Sequence, residues 1–291
     1  MSKQFRISIL DPTSSPELIT DVNWKLLLAC TFGHIFMARE ALFQGADVNC
    51  RRSDYLTPLH IAVQYDNVVL IQLLCNQPLI NIEIKTIDDF CTGLTPLHKA
   101  VFLGQKNAIV KLLENGATVN CVDNLNRYPL HYAALQKDID SATLLLTNGA
   151  HVNVYDTFYE TPLYTSVIRR PFLPMIKLLL FHGATISSAP NQISLDLLLE
   201  TILCLRFESD MKILDILFQN GADVNTADRI GLRTPLHIAA MIGNIKLVIY
   251  LIEKGADLKR KNSAGHTPID VALKYRNFKI ARLIENSFSK E

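Results

Sequence analysis

Several chemistries have no signature in this chain of 291 residues. It contains no Gly-x-Gly-x-x-Gly, no P-loop, no nucleophile elbow and no zinc-binding helix motif, so the common marks of nucleotide binding, acyl transfer and metalloprotease chemistry are missing. The six cysteines (Cys30, Cys50, Cys75, Cys91, Cys121, Cys204) form no Cys-x-x-Cys pair and no zinc-like Cys/His spacing. They read as reduced thiols of a cytoplasmic or nuclear protein, some of them small core residues. Neither sign of charge is in excess. A net charge of +1 gives no field that would recruit nucleic acid or an anionic membrane. Long apolar runs are lacking as well: the leucine-rich stretch 195–205 carries charges and is far too short to span a bilayer. The first ten residues are too polar, and too soon followed by Pro12, for a signal peptide. The reading is of a soluble protein with no membrane partner.

What is present is apolar residue in quantity, 49% of the chain, enough to fold without disulfides or metals. That content is periodic. Thr95-Pro96-Leu97-His98 leads through a helical stripe of Ile109, Leu112 and Leu113 to Gly116-Ala117-Thr118-Val119-Asn120. Tyr128-Pro129-Leu130-His131 leads in the same way to Gly149-Ala150-His151-Val152-Asn153. Pro96 to Pro129 is 33 residues, and so is Gly116 to Gly149. Self-similarity at such a period marks a stacked array in which each unit contacts its neighbours.

The Thr-Pro-Leu-His unit with Gly-Ala-x-Val-Asn resembles the ankyrin repeat. The resemblance implies an all-α ankyrin-repeat solenoid of helix-turn-helix units joined by β-hairpin or finger loops, acting by binding another protein. We divide the chain into an N-terminal extension (1–20), a capping repeat (21–49), repeats two to seven (50–258, with insertions near 82–92, 169–174 and 204–210) and a C-terminal capping repeat with a short tail (259–291). In the extension Phe5, Ile7 and Ile9 alternate with polar residues, as a tail or as a strap on the first repeat. The first repeat lacks the Thr-Pro motif, and Trp24 is read as a buried cap residue.

Motif residues recur at Thr57, Pro58 and His60; Thr95, Pro96 and His98; Pro129 and His131; Thr161 and Pro162; Thr234, Pro235 and His237; and Thr267 and Pro268. Threonine caps a helix N-terminus, and proline suits the first helical position, where its missing N–H costs nothing. Tyr128 in place of threonine predicts an altered cap. In repeat two the glycine position falls on Gln77, before Pro78, so that helix must end differently. Pro58 to Pro96 is 38 residues, and the excess is placed in a long finger over 82–92 bearing Asp88, Asp89 and Phe90. In repeat five, Pro171 and Pro174 predict an early end to the first helix and a stiff turn. Repeat six, 191–207, has no Thr-Pro pair; its leucines predict a longer helix and a changed superhelical twist.

The recurring histidines invite a catalytic or metal reading, but no acid or thiol stands beside them at ligand spacing. The family resemblance gives them a structural role, bridging adjacent loops. No catalytic residue, metal site, cofactor or small-molecule substrate is expected, and the chain is read as not an enzyme. Asn49, Asn120, Asn153 and Asn225 are read as bonding the hairpin backbone. The candidate partner-binding residues are aromatic: Tyr55, Phe90, Tyr128, Phe158 and Tyr159 on the fingers, and Tyr65, Phe102 and Tyr275 on the last turns of the inner helices. In the ankyrin family these zones line the concave face that holds partners. Arg51 and Arg52, Arg169-Arg170 and Lys259-Arg260-Lys261 are basic clusters able to grip an acidic partner. The leading role is a stoichiometric adaptor or inhibitor. A substrate-recognition subunit of a ubiquitin ligase, or a pathogen or symbiont effector binding host proteins, stands as the alternative. A ligase receptor of this kind usually carries a SOCS box or F-box after the array, and the residues after Ile284 leave room for neither.

Overall fold

The computed structural model describes residues 21–87, 93–186, 196–204 and 211–288. The proposed extension and the insertion carrying Asp88, Asp89, Phe90 and Cys91 lie outside the described residues, as do 187–195 and 205–210. Every regular element among the described residues is helical. The chain divides into two compact units, residues 1–151 and 152–291.

The first unit holds four helix pairs: α1 (Val22–Phe32) with α2 (Ile35–Phe43), α3 (Pro58–Gln64) with α4 (Val68–Cys75), α5 (Pro96–Leu103) with α6 (Lys106–Glu114), and α7 (Pro129–Gln136) with α8 (Ile139–Thr147). Threonine and proline start the inner helices as expected: Thr57 and Thr95 hydroxyls accept from the backbone N–H of His60 and His98, each with proline next in sequence. Tyr128 makes no such side-chain bond, and only the return contact remains, from its N–H to His131 Nδ1 at 3.1 Å. Ala62, Ala100 and Ala133 are fully buried where paired helices approach closely. Trp24 is half-buried, not buried.

The second unit holds α9 (Pro162–Tyr164), α10 (Leu173–Phe181), α11 (Leu197–Cys204), α12 (Met211–Gln219), α13 (Pro235–Ile242), α14 (Ile245–Glu253), α15 (Pro268–Lys274) and α16 (Phe278–Phe288). The expected early end of the repeat-five helix is not what forms. α9 continues as a π-helical turn over Thr165–Arg169, closed by Arg170 N–H to the Thr165 carbonyl at 3.0 Å. Pro162 to Ala184 is 22 residues where Pro129 to Ala150 is 21, and a π-turn absorbs one extra residue without shortening the helix. In repeat six Asp196 receives the Leu198 N–H at 2.9 Å and starts α11. That cap sets the register: Leu199, fully buried, stands where other repeats have histidine. α11 is eight residues, the same as α5, so the longer helix is not seen among the described residues.

The asparagines do not serve their own hairpins. Each reaches forward to the turn that ends the next repeat's outer helix. In the first unit Asn49 donates to the Leu79 carbonyl (2.7 Å) and accepts from Asn81 N–H (2.9 Å), and Asn120 donates to Gly149 (3.0 Å) and accepts from His151 (2.8 Å). In the second, Asn153 pairs with Gly183 and Thr185, and Asn225 with Gly255 and Asp257. Repeat two closes differently, as expected: Gln77 N–H bonds the Leu74 carbonyl at 3.0 Å, as Gly116 N–H bonds Leu113. The Gln77 side-chain amide caps Leu73 at 3.0 Å, where Pro78 has no N–H to offer, and the carbonyl that receives the asparagine is that of Leu79. An Asn120→Ala chain loses both bonds and should unfold about 1–3 kcal/mol more easily, read as a lower urea midpoint. Asn120→Asp should not rescue it, because its carboxylate would face the Gly149 carbonyl.

Candidate protein-binding surface

The fingers are tight loops, and no described residue lies in a strand. The base of each is closed by a backbone N–H to carbonyl bond: Arg52 to Leu56 (2.9 Å), Asp123 to Arg127 (3.0 Å), Asp156 to Glu160 (3.1 Å), Asp228 to Arg233 (3.1 Å) and Asn262 to His266 (2.9 Å). A carboxylate or amide at the finger base holds the rest. Asp123, buried, accepts from the N–H groups of Leu125 and Arg127 (both 2.8 Å), from the Arg127 guanidinium (2.9 Å) and from the Tyr132 hydroxyl (2.7 Å). Arg127 in turn lies 4.8 Å over the Tyr132 ring. This network was not foreseen from sequence. Its signal is an acid eight residues before the motif histidine, repeated at Asp156 before Tyr164.

Histidine ties three of the fingers to the repeat before them. His60 Nε2 meets the Leu94 carbonyl at 3.1 Å, His98 the Arg127 carbonyl at 2.9 Å, and His237 the His266 carbonyl at 3.0 Å. A carbonyl only accepts, so Nε2 carries the proton. Nδ1 is left to accept from the threonine hydroxyl at 2.8 to 2.9 Å. The rings are therefore neutral. Burial pushes His60 down to about 3 and His98 down to about 4 from an ordinary value near 6.5.

The sequence reading placed no thiol beside a motif histidine, but Cys121 Sγ lies 3.6 Å from His98 Nδ1 and 3.3 Å from Thr95 Oγ1. Burial pushes this thiol up to about 12, so it is not an activated nucleophile. Among the described residues no three His, Cys, Asp or Glu side chains are grouped to hold a metal ion, and no helix is long and apolar enough to cross a membrane.

Two residues before each capping position the fingertip backbone is left-handed: Tyr55 (φ 61°), Asn126 (55°), Tyr159 (61°), Leu232 (49°) and Gly265 (75°). Asparagine and glycine take this conformation cheaply, while tyrosine and leucine pay about 1 kcal/mol or more. Tyr55 and Tyr159 hold it with half their surface in solvent. In the first unit Tyr55, Tyr65 and Phe102 are exposed, and Phe102 packs edge-on against buried Tyr132 at 6.0 Å. Tyr128 is half-covered and leans on His131, while Phe90 is outside the described residues. Phe158, Tyr159 and Tyr275 are exposed in the second unit. The arginines are already engaged. Arg51 donates to the Tyr55 and Lys85 carbonyls (3.0 and 3.1 Å), Arg52 pairs with Asp54 (2.9 Å), and Arg169 pairs with Glu160 (3.1 Å).

Two further features have no counterpart among the motif residues. On the outer helix α2, Phe36 and Phe43 are 86% and 94% exposed, one helical face bearing both, where α6 has Asn107 and Glu114. On α5, Lys99 occupies the position after the motif histidine that Ile61, Tyr132, Ile238 and Val271 fill with buried side chains.

A family profile described as ankyrin repeats (3 copies) matches residues 26–123, 107–190, 130–228 and 201–290. The chain belongs to the ankyrin repeat family. Its finger loops and paired helices are thus those of a protein-interaction module. Among solved structures this ankyrin array is similar to the ankyrin repeat domain of Bcl-3, a member of the IkappaB protein family, with 27% identity, a TM-score of 0.68, and coverage of 79% of this chain and all of that one. Among sequences it is 25% identical over 271 residues to a putative palmitoyltransferase, ZDHHC13, of Danio rerio, and 28% identical over 239 residues to ankyrin repeat protein nuc-2 of Neurospora crassa. These matches cover 90% and 81% of this chain but only 35% and 18% of the relatives. The activity in the first name belongs to that longer protein.

The histidine ties carry a pH dependence. Below about pH 6.5 the unfolded chain protonates at His60 and His98, while the folded chain does not until about pH 3 to 4. Stability is therefore full above pH 6.5 and falls as pH drops toward 4, by about 1.4 kcal/mol per pH unit for each histidine. The urea midpoint followed from pH 7 to 4.5 should show this, with a shallower slope in a His98→Gln chain.

Proposed function

We propose that the chain is a stoichiometric adaptor or inhibitor that holds a partner protein against its fingers and inner helices, with no chemistry of its own. The observation that carries this reading is the pair Tyr55 and Tyr159, large aromatics kept half-exposed on strained left-handed backbone. Asn126 holds the same conformation at a lower backbone cost, and interface energy concentrates in large aromatic side chains. Tyr65, Phe102, Phe158 and Tyr275 extend the aromatic surface within their own units. The likeness to a domain of an IkappaB family member supports a regulator in preference to the other partner-binding roles. A reducing cytoplasmic or nuclear setting goes with it, since Cys30, Cys50, Cys75, Cys121 and Cys204 are free thiols. A second surface has one observation in its favour: the exposed face of α2 with Phe36 and Phe43.

Affinity purification separates these surfaces. A Tyr55/Tyr65/Phe102/Phe158→Ser chain with unchanged helical circular dichroism should lose the partners recovered by the intact chain. A Phe36/Phe43→Ser chain should keep them. The reverse result moves the site to the outer helices, and equal recovery by all three sinks both surfaces. A milder variant tests the strain itself. Tyr55→Asn, the residue found at Asn126 in another finger, should match or exceed the intact chain in stability by up to about 1 kcal/mol in urea and still bind the partner more weakly.

A further inference from the structure

Lys99 is out of place by the rules its own chain follows. At the position after the motif histidine the other repeats bury Ile61, Tyr132, Thr165, Ile238 and Val271. The one other charge there, Glu200, is matched by the Tyr164 hydroxyl at 2.7 Å. Lys99 is half-buried on α5, and its ammonium has no ion pair or hydrogen bond among the described residues. Asp54, the carboxylate it senses most, is already taken by the Arg52 guanidinium, and Arg52 opposes the lysine charge. Burial accordingly pulls the ammonium down to about 8. An uncompensated, partly desolvated cation is a standing cost to the free protein.

The surroundings suggest what would relieve it. Phe102 is three residues further along α5, on the same helix face and partly exposed. Tyr65 ends α3, which packs directly against α5, and is half in solvent. The two nearby arginines are spent on Asp54 and on backbone carbonyls, which leaves the Lys99 ammonium, on the helix face of Phe102, open to a partner. We infer that Lys99 is a carboxylate socket: it receives an aspartate or glutamate of the partner protein, whose flanking apolar residues pack on Tyr65 and Phe102. This rests on the reading of the first unit's inner helices and fingers as the binding surface, and it names the chemistry of the partner there.

The test uses the intact chain and a random peptide display library, selected in parallel on wild type, on Lys99→Ile and on Tyr55/Tyr65/Phe102→Ser. Wild type should enrich peptides with an acidic residue beside an aromatic or aliphatic one. Lys99→Ile should bind those peptides at least tenfold more weakly, yet melt at a higher temperature, because isoleucine already fills this position at Ile61 and Ile238. Enriched peptides that bind wild type and Lys99→Ile equally but lose to the aromatic variant would overturn the socket and leave the surface standing. Peptides that bind all three alike, or no enrichment at all, would overturn the surface and the socket with it. A Lys99→Ile chain that melts lower than wild type would remove the premise that the charge is uncompensated.

Discussion

A neutral imidazole between two repeats is the contact on which the rest of this structure rests. Nδ1 of His60, His98 or His237 accepts from the threonine that caps its own helix, and Nε2–H donates to the carbonyl that ends the next finger. One ring therefore fixes a helix start and a loop end together. The arrangement works only while the ring is uncharged, since a proton on Nδ1 would face the threonine N–H, 3.4 Å away at His98. Burial keeps it uncharged. The forward-reaching asparagines do the same on the other edge of the repeat, where each satisfies one carbonyl and one N–H of a helix-ending turn that would otherwise lack partners.

Side chains at the finger bases explain why the fingertips tolerate strain. A finger whose base is held by Asp156, which accepts from the N–H groups of Phe158 and Glu160, has little freedom left to relax a left-handed residue at its tip. Tyr55, Tyr159 and Leu232 persist there at a cost the surrounding bonds cover. Asn126 and Gly265 show that the same turn is built without that cost. The difference between the fingers thus lies in what they display, not in how they fold.

Much of this was legible in the sequence because the repeat is its own internal control. Thr95-Pro96-Leu97-His98 fixes a helix start, a 33-residue period fixes the stacking partner, and Tyr128 announces a cap without its hydroxyl. Where legibility failed, the cause was a contact between residues remote in sequence or a choice among local geometries. Nothing local says that Asn49 bonds residue 79 of the next repeat, or that Cys121 comes to rest beside His98. Pro171 and Pro174 do predict a break, yet one extra residue can be taken up by shortening a helix or by widening a turn, and the fold widened it. Repeat six was unreadable because it lacks the punctuation, and Asp196, a cap without a following proline, supplied the register only once the helix was seen.

The same internal control separates residues that serve the array from those that serve something outside it. A residue that stabilises a repeat protein should look alike at equivalent positions, since each unit faces nearly the same surroundings. Leu59, Leu97, Leu130, Leu163 and Leu236 do, and all are buried. Phe36 and Phe43 break that rule by placing rings where α6 has Asn107 and Glu114, and Lys99 breaks it by placing a charge where four neighbours have apolar or aromatic side chains. Among the described residues Phe36 and Phe43 remain largely exposed, and the Lys99 ammonium makes no ion pair. In the complex proposed above, an anion is the group that would offset the partly desolvated charge of Lys99.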